Sequence, residues 1–205
     1  MGRGGLTALV AAAVTALAAC AEPPGQPGGA GAGGAVSLET VAAALDTCRA
    51  GDPDAGIAAL DEALARSPGS VDALATRGLC YWTRSATTGG DPDAEAAHAD
   101  LTAAIDAARD GAEHATPLDR LYAHRAFAAR ARDGAGWDET LADLDEAVRL
   151  APRDPAHTLD RGVARLAAGD TAAGRRDLAR FLVLADSAEV AKRELVEAMM
   201  EETAR

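Results

Sequence analysis

The chain reads as all-α, built from a succession of paired helices, and three observations point there. Of its 205 residues 54 are alanine, the strongest helix former and a poor strand former. Aromatics amount to 2 Trp, 2 Tyr and 2 Phe, too few for a sheet-rich core or a base-stacking platform. An amphipathic run then recurs: GIAALDEALARSP ends at Pro68 and TLADLDEAVRLAP ends at Pro152, with AHADLTAAIDAARDG between them and a looser GRRDLARFLVLAD after them. In each, Leu and Ala return at i, i+3, i+4 and i+7 with charged residues between, the period of a helix with one buried face.

The first 20 residues, MGRGGLTALVAAAVTALAAC, form a separate element. Arg3 is their one charge, and Leu6 to Ala19 is an uncharged stretch too short to span a bilayer but suited to a secretory signal. The run ends Leu17-Ala18-Ala19-Cys20, which resembles the lipobox of bacterial lipoproteins. The resemblance implies cleavage before Cys20, a diacylglyceryl thioether on its sulfur, and acylation of the new amino terminus with fatty chains such as palmitate. Two or three chains anchor durably where one does not. The other reading is an ordinary signal cleaved after Ala19 or Ala21, with an incidental Cys.

Residues 20–36 are the lipidated Cys and a Gly- and Pro-dominated tether that cannot bury a core. Its root-mean-square reach is about 20–24 Å. Net charge is −12 for the whole chain, and about −13 once Arg3 leaves with the signal. That balance argues against nucleic acid and against lying flat on anionic lipid. The expected location is the cell envelope; Ala21 lacks the Asp typical of inner-membrane retention, which points to an outer membrane where the cell has two.

The repeat domain runs from 37 to 186. Each later copy is preceded by a second helix carrying Arg77-Gly78, Arg125-Ala126 or Arg161-Gly162, whose small residue lets two helices approach. Gly51 and Gly169 fall where paired helices turn, and residues 37–70 make a unit of 34. These features resemble the tetratricopeptide repeat family. Leu74, Gly78 and Tyr81 match its first-helix signature; Leu60, Ala63 and Pro68, and again Leu144, Ala147 and Pro152, match its second helix and closing proline, as do Leu101 and Ala104 in part. The resemblance implies a right-handed superhelical stack of about four helix pairs whose first helices line a concave face.

Departures are plain. Arg77, Arg125 and Arg161 stand where Leu is usual, and Phe181 replaces a small Ala. Insertions are expected near Ser85–Asp93 and Gly134–Gly136. The remaining segment, 187–205, is expected to form a capping helix (about Ala188 to Ala204), with Asp186 and Glu189 as an N-cap pair and a covering stripe of Ala191, Leu195, Ala198 and Met199.

Chemistry is scarce. No phosphate-binding Gly-x-x-x-x-Gly-Lys, nucleophile elbow or His-Glu-x-x-His is present, and His98, His114, His124 and His157 are scattered. No catalytic residue, metal or cofactor is therefore expected, and no small-molecule substrate. The acidic residues of the DLDEAV-type runs read as a solvated face. With Cys20 lipidated, Cys48 and Cys80 remain, either as buried small apolar residues or as a disulfide between neighbouring first helices.

Because the family binds peptides in its concave groove, the resemblance carried over by repeat position nominates Leu45 and Arg49, Leu79 and Trp82, Phe127 and Arg130, then Val163 and Leu166 as partner-binding. Trp82 stands out, since Trp and Arg dominate binding hot spots; its alternative is packing beneath the insertion. The resemblance stops short of the carboxylate clamp, because Val41 and Leu45 occupy places that need Lys and Asn. The function expected is a membrane-anchored, non-catalytic adaptor binding a peptide segment of an envelope protein. The alternative is a structural or self-associating subunit of an envelope complex.

Overall fold

Polar caps fix where the helices begin. Ser37 Oγ accepts the Thr40 amide at 3.1 Å and opens α1 (Leu38–Arg49). Asp52 accepts from the Ala55 amide at 3.0 Å ahead of α2 (Pro53–Arg66), whose leading proline lacks an N–H that would be orphaned anyway. The same device opens α7 (Pro155–Ala167) through Asp154 and α8 (Thr171–Leu184) through Asp170. The remaining helices are α3 (Val71–Thr88), α4 (Asp91–Arg109), α5 (Leu118–Ala131), α6 (Asp138–Leu150) and α9 (Val190–Glu202). This computed structural model describes residues 36–88, 91–132, 134–186 and 189–204. The signal sequence, Cys20 and most of the tether lie outside those residues.

Among the described residues there are nine helices and no strand, with neighbouring helices packed in pairs, so the chain is all-α and repeat-like. Gly51 and Gly169 turn the first and last pairs at φ of 99° and 91°, a left-handed conformation that favours glycine. Each turn closes the same way: Gly51 donates to the Cys48 carbonyl and Gly169 to that of Leu166.

By contact the described residues fall into two compact units, 36–143 and 144–204, divided inside α6. In the first, α1 packs on α2 and α3, α2 on α3, α3 on α4 and α5, and α4 on α5. Its core is built around Leu60, Leu101, Ile105 and Leu121, with alanines such as Ala63, Ala97, Ala104 and Ala126 at closest approach. Glycine permits the tightest contacts: a Cβ on Gly78 would lie 3.1 Å from the Ala97 carbonyl, and one on Gly56 would lie 2.2 Å from Cys48 Sγ. In the second unit α7 packs on α8 and α8 on α9, around Leu159, Val163, Leu166, Leu178, Phe181, Val196 and Met199.

The insertion expected near Ser85–Asp93 is taken up largely by longer helices: α3 runs to Thr88 and α4 begins at Asp91. Arg84, one turn before the end of α3, donates to both oxygens of Asp93 at 2.8 and 2.7 Å and fastens the lengthened helices together. In α9 the covering residues are Val196 and Met199, flanked by Leu195 and Met200, while Ala191 and Ala198 are exposed. Alanine contributes too little area to set a helix's rotation; Arg193, donating to the Leu182 carbonyl at 2.7 Å, and Arg175, donating to that of Met200, fix it instead. Finally, Glu189 itself takes the N-cap position of α9 without a side-chain cap, and its carboxylate accepts from Lys192 Nζ at 2.8 Å.

Candidate partner-binding site

Two side chains nominated from different repeats meet. The Trp82 and Phe127 rings, on α3 and α5, lie 6.3 Å apart at an interplanar angle of 38°, an offset and tilted arrangement favourable to aromatic pairs. Both are half-buried. Leu79, one turn before Trp82, is also half-buried. Trp82 thus pairs with an aromatic of the following repeat's first helix. Arg130, one turn after Phe127, donates from Nη1 to the Ala135 carbonyl at 2.8 Å and sits over the Trp137 ring at 4.5 Å. Trp137 was not among the nominated residues, although its position just after the Gly134–Gly136 loop signals a side chain folded back onto the preceding helix.

The other nominated positions behave differently. Arg49 ends α1 and is exposed. Leu45 is buried in the core of the first unit, so it backs the surface instead of forming it. Val163 and Leu166 belong to the second unit, where both are buried against Leu178 and Phe181. A peptide reaching either would first have to open that core. The nominated residues left at least partly exposed are Arg49, Leu79, Trp82, Phe127 and Arg130, all in the unit 36–143, and of these Trp82 and Phe127 are in contact.

Each unit also holds arginine–aspartate pairs, their acids in runs read from the sequence as a solvated face. Arg77 donates from Nε and Nη2 to the two oxygens of Asp100, both at 2.8 Å. Arg125 does the same with Asp143 at 2.9 and 2.7 Å, and Arg161 with Asp177 at 2.9 and 2.8 Å. These three aspartates are buried, each directly before the conserved-register Leu of its second helix (Leu101, Leu144, Leu178). The third guanidinium nitrogen reaches back to the residue just after the corresponding Leu of the preceding copy: Asp61 at 2.6 Å, Thr102 Oγ1 at 3.5 Å and Asp145 at 2.9 Å. Each arginine thereby fastens two successive second helices to one first helix, which explains why Arg replaces Leu there. The hydrogen bonds that Arg77 donates to Asp100 hold its guanidinium protonated well beyond its ordinary range, and Arg84 holds Asp93 below the usual carboxylate range.

Cys48 and Cys80 are joined as a disulfide with Cα atoms 5.6 Å apart, linking α1 to α3 two residues before Trp82. Of the alternatives left by the sequence, the bridge is the one found.

One carboxyl in the second unit is perturbed. Burial raises Asp160 to about 7, helped by the nearby Asp154 charge and opposed by Lys192. Its unfolded value is about 3.9. The folded group therefore keeps its proton where the unfolded one has lost it, so stability is full below about pH 4 and falls as pH rises through about 7. Asp160→Asn should accordingly raise the thermal midpoint at pH 7.5 and leave it nearly unchanged at pH 4. Melting followed by circular dichroism at both values checks this; an equal gain at the two pH values would contradict it.

The chain matches no protein-family model, no curated protein and no solved structure. What can be concluded of its kind thus rests on its own residues, and they make it an all-helical, repeat-like protein.

Proposed function

We propose that the chain is a tetratricopeptide-like lipoprotein that acts as a non-catalytic adaptor, holding a peptide segment of an envelope protein against the face formed by Leu79, Trp82, Phe127 and Arg130. The observation that carries this reading is the half-exposed Trp82–Phe127 pair. Large aromatics that stay partly exposed concentrate binding energy because they bury much area at little entropic cost. The framework of arginine–aspartate pairs supports it by fixing the helices that present the pair. A disulfide is chemically at home in an exported protein, which supports the signal-sequence reading of residues 1–19. The lipid on Cys20 would set the location and the tether the search radius, so that modest affinity suffices at the surface.

Photo-crosslinkers placed at Trp82 and at Arg130, with one at Leu38 as a remote control, test the proposal in cells. One envelope protein captured from both sites and not from Leu38 is expected. Its purified segment should bind 30-fold or more weakly, to an order of magnitude, after Trp82→Ala or Phe127→Ala. Capture of the chain by itself alone would replace the adaptor with a self-associating envelope subunit. Equal capture from Leu38 would remove the site.

A further inference from the structure

The framework of paired arginines and aspartates has a gap at its first position. Gly78 and Gly162 occupy equivalent places, each bringing a second-helix backbone carbonyl (Ala97, Gly174) within 3.3 Å of where a Cβ would stand. In the first pair Ala44 meets Gly56 in the same way. The residue before that contact is Arg77, Arg125 or Arg161 in the later pairs and Ala43 in the first. The residue before the buried second-helix Leu is Asp100, Asp143 or Asp177 in the later pairs and Ala59 in the first. Both members are missing together, and Ala43 and Ala59 are exposed. This same pair carries the disulfide, with Cys48 one turn beyond Ala44 and its sulfur lying in the space that glycine leaves at position 56.

We propose that the Cys48–Cys80 bridge, by tying α1 to α3, does for α1 what the ion pair to its own second helix does for the first helices of the later copies, so that docking of the α1–α2 pair depends on oxidation while the remaining pairs hold without it. Among the described residues α1 and α2 have a helical neighbour on one side only. Charged ties from α2 to α3 include Arg77 to Asp61 and Arg84 to Asp54, both through exposed carboxylates that water screens. A bridge closing a separation of 32 residues outweighs them, favouring the docked state by several hundred-fold on a loop-entropy estimate. Buried as both sulfurs are, a reductant reaches them only when this end of the chain opens. A chain carrying the bridge therefore completes its amino-terminal helix pair only after reaching an oxidising compartment.

Amide hydrogen exchange on the full chain tests this in three forms: oxidised, unfolded and refolded under reductant, and Cys48→Ala/Cys80→Ala. In the second and third forms exchange across residues 38–66 should quicken by at least about 30-fold while α5 changes by less than about threefold. Adding Ala43→Arg with Ala59→Asp to the cysteine-free chain, which installs the pair found in every later copy, should recover at least about tenfold of that protection. Unchanged exchange in residues 38–66, or equal acceleration through α5, would overturn the proposal. So would failure of the Arg–Asp pair to restore protection, since the bridge would then not be standing in for it.

Discussion

Asp177→Ala is expected to destabilise the unit 144–204 by about 3 kcal/mol, whereas Asp145→Ala, which touches the same arginines, should cost no more than about 1 kcal/mol. The difference follows from burial. Asp177 has a side-chain exposure of 7% and accepts from Arg161 Nε and Nη2 and from Arg165 Nη1, all between 2.8 and 2.9 Å. Asp145, with 52% exposure, accepts from the other ends of the same guanidiniums at 2.9 and 2.8 Å. Removing the buried carboxylate leaves two desolvated cations facing the gap; removing the exposed one leaves them bound to the stronger partner and open to water. The cost is held below the upper end for broken buried pairs because Asp145 still answers part of each arginine's charge. Urea unfolding followed by far-ultraviolet circular dichroism reads it, since Trp82 and Trp137 both lie outside this unit and their fluorescence would miss it. A double change to apolar residues, Arg161→Met with Asp177→Leu, should recover much of the loss, because what is costly is the unpaired charge. Equal losses for Asp145→Ala and Asp177→Ala would refute this account.

Why these aspartates escape a residue-by-residue reading is a matter of register. In TLADLDEAV the acids at 143, 145 and 146 look alike, all polar punctuation on an amphipathic helix. Two residues along a helix turn about 200°, and that rotation separates buried Asp143 from exposed Asp145 only once the partner helix is placed. The signal was nonetheless in the repeats, since Arg before the small residue and Asp before the Leu come and go together, both absent in the first copy. The turns were easier, because Gly51 and Gly169 answer a purely local demand for positive φ. The meeting of Trp82 with Phe127 depends on how neighbouring pairs stack, and repeat position was enough to nominate both. Repeat position also nominated Leu45, Val163 and Leu166, which are buried; for the latter two, equal places in a repeat do not have equal exposure when the last pair is covered by a different kind of helix.

That last pair carries the second large effect, expected for Phe181→Ala: a loss of about 3–5 kcal/mol, felt first in α9. The position is alanine in each earlier copy, Ala63, Ala104 and Ala147, and all three are fully buried, leaving no room for a larger side chain. Among the described residues α8 is followed by a single helix of 13 residues in place of a helix pair. Phe181, 1% exposed, fills the space between α8 and that helix, meeting Val196 and Met199 in one cluster with Leu178 and Leu159. A helix so short is marginal in water and holds its shape by packing. Truncating the ring therefore removes the contact that α9 folds on, and the hydrogen bonds from Arg175 to the Met200 carbonyl and from Arg193 to that of Leu182 cannot hold it alone. Limited trypsin digestion makes the point site by site, because Lys192 and Arg193 lie in the first turn of α9. Cleavage there should accelerate about 100-fold in Phe181→Ala, well ahead of cleavage at Arg77 or Arg125, and only several-fold in Phe181→Leu, which keeps most of the buried volume. If Phe181→Ala instead speeds cleavage equally at all these sites, the ring supports the whole chain and not its closing helix, and the reason offered for its departure from alanine fails.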